Sequence, residues 1–191
     1  MKRDPTNVLQ KSIDCLNGGG ILLYPSDSLW GLGCDATNQQ AIQKLYAIKK
    51  RSDVKPLIIL VSSIRMLQNV VKNVPEVVWD ILEFSTEPLT IIYPKASSAL
   101  KHLEAQDGSI AVRFVQSGWI QKLIEKYKKP ITSSSANLSG GASPLKLSDI
   151  SSDIKQTADY IVEEDDSNMS MTGRASRLLK IGENGEIKIL R

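Results

Sequence analysis

Residues 47–61 read AIKKRSDVKPLIILV and join the end of a predicted helix to a predicted buried strand. The helix is QQAIQKLYAIKK, residues 39–50, in which apolar positions recur at helical spacing after a capping Thr37 or Asn38. The strand is PLIILVS, residues 56–62, an apolar run too short for a helix. On both sides of this stretch, segments with a helical pattern alternate with segments that have a strand pattern.

The fold class follows from that alternation. Crossovers between parallel strands need helices, while strands close together in sequence can pair antiparallel. The sequence therefore predicts an α/β fold with a mixed sheet, and, without a repeat or a low-complexity linker, one domain over residues 1–191. Other helix candidates are residues 6–17, 64–74, 76–84 and 118–127, and other strand candidates are residues 21–25, 89–94, 109–115, 158–164, 175–181 and 186–191. A second strand piece is predicted within residues 26–36, and a short strand that runs into a loop within residues 129–144.

The amino-acid composition limits the kinds of partner, compartment and catalytic group that this chain can have. Lys and Arg total 24 against 21 acidic residues, so an anionic partner is permitted without being required. Two cysteines without metal-ligand spacing and no apolar run of transmembrane length favour a soluble cytoplasmic protein. His102 is the only histidine, which argues against histidine triads and histidine metal sites. Any catalysis must rely on Lys, Arg, Ser, Asn and groups of the substrate.

The cations of the opening stretch have two interpretations. Cations in the last turn of a helix complement its dipole and usually face water. However, Lys49 and Arg51 lie two residues apart where the helix ends, and Lys55 precedes the strand, at the kind of edge where α/β sheets form ligand crevices. Guanidinium and ammonium groups there can hold phosphate or carboxylate.

Two further stretches carry polar groups. Residues 133–141, SSSANLSGG, are either a flexible surface loop or a run of small hydrogen-bonding residues that a ligand can approach closely, and they lack the lysine of a Walker loop. Residues 24–36, YPSDSLWGLGCDA, are either a strand and a turn or the source of pocket hydroxyls at Ser26 and Ser28. Each signal alone is weak.

Taken together and in order, these stretches closely resemble the YrdC/TsaC family, the L-threonylcarbamoyladenylate synthases. The resemblance rests on YPSDSLWGLGCDA, IKKRSDVKPLIILV, PLTIIYP, SIAVR and ITSSSANLSGG, and covers about residues 18–144. Ser26 and Ser28 stand where the family has threonines, Trp30 where a tyrosine is common, and no proline follows two residues after Arg113. The resemblance implies a twisted mixed sheet flanked by helices, with an open, positively charged concave face.

The resemblance also implies site residues. The catalytic set carried over from the family is Lys49 and Arg51 from KKR, and Ser135 and Asn137 from SAN. The substrate-binding residues implied are Ser28, Lys55, Arg113, Ser133 and Ser176. No metal ligand is implied.

The implied reaction joins L-threonine, bicarbonate or CO2, and ATP into L-threonylcarbamoyladenylate and pyrophosphate. ATP is a substrate, and Mg2+ is expected to be held mainly through its phosphates. The product serves the threonylcarbamoyladenosine modification of tRNA next to the anticodon, through downstream transfer proteins. Two alternatives stay open: a non-catalytic module that binds tRNA or double-stranded RNA, and a domain that forms carbamoyl adenylate.

Overall fold

Helices and strands alternate through most of the chain in the computed structural model, which describes residues 5–49, 56–138, 140–163 and 171–191. The helices are α1 (Pro5–Asn17), α2 (Gln39–Ile48), α3 (Ile64–Val70), α4 (Val77–Phe84), α5 (Gly118–Tyr127) and α6 (Ser152–Thr157), with 3-10 helices at Ser98–Leu103 and Leu147–Asp149. The strands are β1 (Leu22–Pro25), β2 (Trp30–Gly33), β3 (Ile58–Val61), β4 (Leu89–Tyr93), β5 (Ile110–Phe114), β6 (Ile131–Ser135), β7 (Tyr160–Ile161), β8 (Arg177–Ile181) and β9 (Ile187–Ile189).

The described strands form one mixed sheet in the order β7-β1-β2-β6-β3-β5-β4-β8-β9. Strand β1 pairs parallel with β7, β3 with β5, and β4 with β8, whereas the other neighbours are antiparallel. The parallel pairs are joined by long crossovers, and the closely spaced β8 and β9 pair antiparallel, as the alternation predicts. The predicted α/β class with a mixed sheet and flanking helices is confirmed.

Helices cover the two faces of the sheet unequally. On one face, apolar side chains of α2, α3 and α4 pack against Ile59, Ile91 and Val112. On the other, α1 and α5 pack against Leu22 and Leu60. The same face also borders a cavity, which strands from β2 across to β8 line.

Asn38 is the residue that caps α2, since its side chain accepts from the Ala41 N–H at 3.1 Å. This settles the choice left open between Thr37 and Asn38. Helix α1 ends before the predicted glycines, where Gly19 has a φ of +70°.

A search of the described residues finds no helix with the length and apolar character needed to cross a bilayer.

Candidate active site

Part of the second sheet face forms a cavity of about 410 Å³. Its floor comes from the central strands and its rim from the β1–β2 turn, the segment before β8 and the last residue of the chain. The lining residues are Ser26, Ser28, Leu29, Trp30, Gly31, Pro56, Ile58, Leu60, Ile92, Ala111, Arg113, Ser133, Ser134, Ser135, Ser143, Ala175, Ser176, Leu178 and Arg191. A larger cavity of about 620 Å³ lies by α3 and α5, but none of the predicted site residues lines it.

Arg113 is the buried cation of the cavity floor. One terminal nitrogen, Nη2, donates to both carboxylate oxygens of Asp27, and Nη1 donates to Ser28 Oγ at 3.2 Å. The Ser28 hydroxyl also lies 2.9 Å from Ser26 Oγ. The third nitrogen, Nε, is buried and has no hydrogen-bond partner among the residues described. Of the five N–H groups of a guanidinium, Nε–H and one N–H of Nη1 therefore have no partner in these contacts.

The Tyr24 ring and the neighbouring strand β6 leave little room for a side chain at Gly31 and Gly33 of β2. The Tyr24 hydroxyl donates to Ser133 Oγ at 2.8 Å, and its ring lies against Gly31 and Gly33. A Cβ on Gly31 would lie 3.0 Å from the Tyr24 ring, and a Cβ on Gly33 would lie 2.2 Å from the main-chain oxygen of Thr132. Burial raises the pKa of Tyr24 to about 12, so the hydroxyl stays protonated and donates to Ser133.

Lys49 and the SAN residues meet in space although they are far apart in sequence. The Lys49 side chain is fully buried, and its Nζ donates to the main-chain oxygens of Ser135 and Asn137. Ser135 Oγ donates to Asn137 Oδ1, and Asn137 Nδ2 donates to Leu138 O at 2.9 Å and to Gly141 O. The lysine thus fixes the end of β6, from which Ser135 reaches the cavity.

Ser176 lies on the opposite wall, at the start of β8. Its hydroxyl is 2.8 Å from Thr90 Oγ1, and its main-chain oxygen accepts from Arg191 Nε at 3.1 Å and Nη2 at 3.0 Å. Arg191 lines the same cavity, so a second cation reaches it from the last residue of the chain. The sequence analysis missed this residue, because Arg191 falls inside the final predicted strand, residues 186–191, and matches no motif.

The fold brings together Ser28, Arg113, Ser133, Ser135 and Ser176 as cavity-lining residues. Lys49 and Asn137 are joined to Ser135 by the hydrogen bonds described above. Arg51 and Lys55 lie outside the described residues, so their predicted roles carry no structural account.

The described residues contain no group of three or more His, Cys, Asp or Glu side chains placed to hold a metal ion.

Comparisons with known proteins identify relatives of this chain. The Sua5/YciO/YrdC family model, described as "Telomere recombination", matches residues 14–191. The threonylcarbamoyl-AMP synthase of Pseudoalteromonas translucida is 34% identical over 161 residues, which cover 83% of this chain and 86% of that protein. The protein of the same name from Vibrio cholerae is 36% identical over 135 residues, covering 69% of this chain and 72% of that protein.

The fold matches solved structures of P. abyssi Sua5. A double variant of that protein, H234A/Y235A, superposes with a TM-score of 0.86 at 25% identity over 99% of this chain. The complex of P. abyssi Sua5 with L-threonine gives a TM-score of 0.81 at 23% identity over 95% of this chain. This chain spans 57% and 52% of those longer chains.

Proposed function

Because this chain belongs to the Sua5/YciO/YrdC family, we propose that it is a threonylcarbamoyl-AMP synthase. The reaction consumes L-threonine, bicarbonate or CO2, and ATP, and it releases pyrophosphate. The observation that carries the proposal is the relation to curated synthases over most of the chain. A cavity of about 410 Å³ with serine hydroxyls and two arginines suits a nucleotide and a small amino acid.

The chemistry needs no nucleophile from the protein. The threonine amine loses a proton and adds to the carbon of CO2, which gives a carbamate. A carbamate oxygen then attacks the α-phosphorus of ATP in line, and the bond from that phosphorus to the bridging oxygen of pyrophosphate breaks. Positioning and charge stabilisation therefore dominate catalysis, which fits a cavity lined by cations and hydroxyl groups.

Roles are proposed for residues that line the cavity and for residues that the family resemblance adds to them. Arg113 is the proposed partner of the threonine carboxylate, because it is a buried cation that lines the cavity. Arg191, at the rim, is the proposed partner of the triphosphate. Ser135 and Asn137 hold the adenylate end, with Lys49 fixing their main chain. Arg51 neutralises the carbamate and the phosphates, so Arg51→Ala abolishes most synthesis while the protein stays folded.

The remaining expectations belong to the same proposal. Mg2+ enters with ATP and is held mainly through the phosphates, since the described residues offer no carboxylate cage. Downstream transfer proteins then pass the threonylcarbamoyl group of the product to tRNA. Three further predictions remain: RNA contact with a basic concave face, a single domain over residues 1–191, and a cytoplasmic location.

The deciding experiment is pyrophosphate release by the purified protein with ATP, Mg2+ and bicarbonate, with and without L-threonine. Mass spectrometry of the nucleotide product accompanies it. We expect threonine-dependent release and threonylcarbamoyl-AMP. Pyrophosphate release that does not depend on threonine but requires carbamoyl phosphate would support the carbamoyl-adenylate alternative. RNA binding without any turnover of ATP would support the non-catalytic binding module.

A further inference from the structure

Asp27 is bound to the main cation of the cavity without lining the cavity itself. Its neighbours Ser26 and Ser28 line the wall, whereas Asp27 is not among the lining residues and its carboxylate pairs with Arg113. The Arg113 side chain is 8% exposed and the Asp27 side chain 36% exposed. The contact that connects the aspartate to the cavity is therefore its ion pair with the arginine.

The pair changes what Arg113 can bind. A lone guanidinium in a cavity attracts anions in proportion to their charge, so it favours a phosphate group over a carboxylate. When a carboxylate offsets that charge, a phosphate group loses most of its electrostatic advantage over a carboxylate group. The geometry of the hydrogen bonds then determines which anion binds more tightly. The offset matters here because the proposed substrates carry both kinds of anion.

The pair also fixes how Arg113 presents its donors. Nη2 is taken by Asp27 and Nη1 by Ser28, so the plane of the guanidinium is held from two sides. Nε is buried with almost no accessible surface, so it is not the donor that meets a ligand. Among the described contacts, the second N–H of Nη1 is left for that role.

We propose that Asp27 is a positioning residue that acts through Arg113. By orienting the guanidinium and offsetting its charge, it reserves this end of the cavity for the carboxylate of the amino-acid substrate and excludes phosphate groups. The assignment of the carboxylate rests on the proposed function.

The turn that carries Asp27 has main-chain anchors of its own. The Asp27 oxygen accepts from the Thr172 N–H at 2.8 Å, and the Ser28 oxygen accepts from the Gly173 N–H at 3.0 Å. Ser26 N also donates to Leu29 O at 3.2 Å across the turn. These bonds do not involve the Asp27 carboxylate, so Asp27→Asn is expected to keep the turn in place.

The test compares Asp27→Asn with the wild type in steady-state synthesis. We expect the ratio of phosphate affinity to threonine affinity to rise at least about tenfold, because the uncompensated guanidinium charge favours the more highly charged anion, with kcat at saturating threonine changed less than about threefold. Inorganic phosphate, which has no part in the reaction, becomes a competitive inhibitor against threonine in the variant. Asp27→Glu, which keeps the charge, restores the exclusion of phosphate.

A matched control is Asp35→Asn. The Asp35 carboxylate also pairs with a cation, accepting from Lys129 Nζ at 3.0 Å as well as from Tyr127 Oη at 2.6 Å, but it is more buried than Asp27 and is not part of the cavity. We expect this variant to lose stability while keeping the wild-type KM for threonine and its insensitivity to phosphate.

Titration calorimetry with inorganic phosphate alone separates this inference from the proposed function. Phosphate that binds Asp27→Asn at least about tenfold more tightly than the wild type supports the inference even if the wild type shows no threonine-dependent turnover. Equal phosphate affinity overturns it, as does an unchanged ratio of phosphate affinity to threonine affinity in an active enzyme. If thermal unfolding shows that Asp27→Asn is not folded, Asp27→Ser takes its place in the same comparison.

Discussion

Gly33→Ala is expected to destabilise the sheet beneath the candidate active site. A Cβ at this position would lie 2.2 Å from the main-chain oxygen of Thr132 on β6, and 3.2 Å from Cε1 of Tyr24. Relief requires the β2 and β6 backbones to separate, although Thr132 N donates to Cys34 O at 2.8 Å right beside the clash. Overpacking of this kind costs about 3 kcal/mol of the free energy of unfolding. At about 2–4 °C per kcal/mol for a chain of this size, Tm falls by about 6–12 °C.

Gly31→Ala provides the comparison. All three of its nearest contacts would belong to the Tyr24 side chain, at 3.0, 3.1 and 3.3 Å, and a side chain can move where a backbone cannot. The lower conformational entropy of the unfolded chain offsets part of the cost, so the net loss is at most about 1 kcal/mol. Truncating the ring with Tyr24→Leu should then relieve Gly31→Ala by about 1 kcal/mol in a double-mutant cycle, while Gly33→Ala stays additive within about 0.5 kcal/mol.

Urea and thermal unfolding of the three single variants and two double variants measure these values. Synthesis activity gives a second readout, since displacing Tyr24 breaks its hydrogen bond to Ser133 in the cavity. A Gly33→Ala protein with the wild-type Tm, or one that Tyr24→Leu rescues as fully as it rescues Gly31→Ala, would refute the argument from backbone contact.

Three further predictions concern charged groups. Lys49→Met removes the ammonium that the Ser135 and Asn137 oxygens accept from, so Tm and synthesis both fall, as unfolding scans and product analysis will report. Arg191→Ala raises KM for ATP about tenfold with little change in KM for threonine, and Arg191→Lys recovers part of it in the same kinetic assay. Burial alone would raise the pKa of Asp35, but its hydrogen bonds outweigh burial and the pKa is lowered overall. The ionised carboxylate therefore stabilises the fold at neutral pH, and this stabilisation is lost as the carboxylate is protonated. The stability lost in Asp35→Asn, measured by urea unfolding, should accordingly shrink as pH falls below about 4.

The fold was predictable from sequence because its main elements carry strong local patterns. Apolar runs such as residues 56–62 and amphipathic segments such as residues 118–127 differ clearly in period, and the structure has a strand and a helix there. Helix α6 was not predicted, because its six residues are mostly polar and only Ile154 is buried. The two 3-10 helices, of six and three residues, are also too short to show a periodic pattern of apolar residues.

The candidate site was predictable only as far as motifs and the family resemblance reach. These identified Ser28, Arg113, Ser133 and Ser176 across nearly the whole chain, and the sheet brings them to one cavity. The Asp27–Arg113 ion pair has no local signature, since 86 residues separate its partners. Pairing of that kind depends on strand order, which local patterns do not encode.

The glycines of β2 show how a tertiary contact changes an interpretation. In sequence, Gly31 and Gly33 indicate only the backbone requirements of a strand and turn. In the fold, they make room for the Tyr24 ring and for the neighbouring strand, and the ring places a hydroxyl on Ser133. Their part in the site is indirect, through the position of a serine.

The position of the cavity can be traced to strand register. Ile58 and Ile92 are the register partners of Ala111 on either side, so one small residue lies between two large ones on the face that borders the cavity. The next row on that face pairs Arg113 with Leu60 and Thr90. The small side chain makes a depression directly beside the buried guanidinium, and the β1–β2 turn closes over it through Asp27 and Ser28. A recess next to a charge-compensated arginine is the arrangement that receives the carboxylate of a small amino acid better than a phosphate group, so the shape of the floor and the charge of the Asp27–Arg113 pair favour the same ligand.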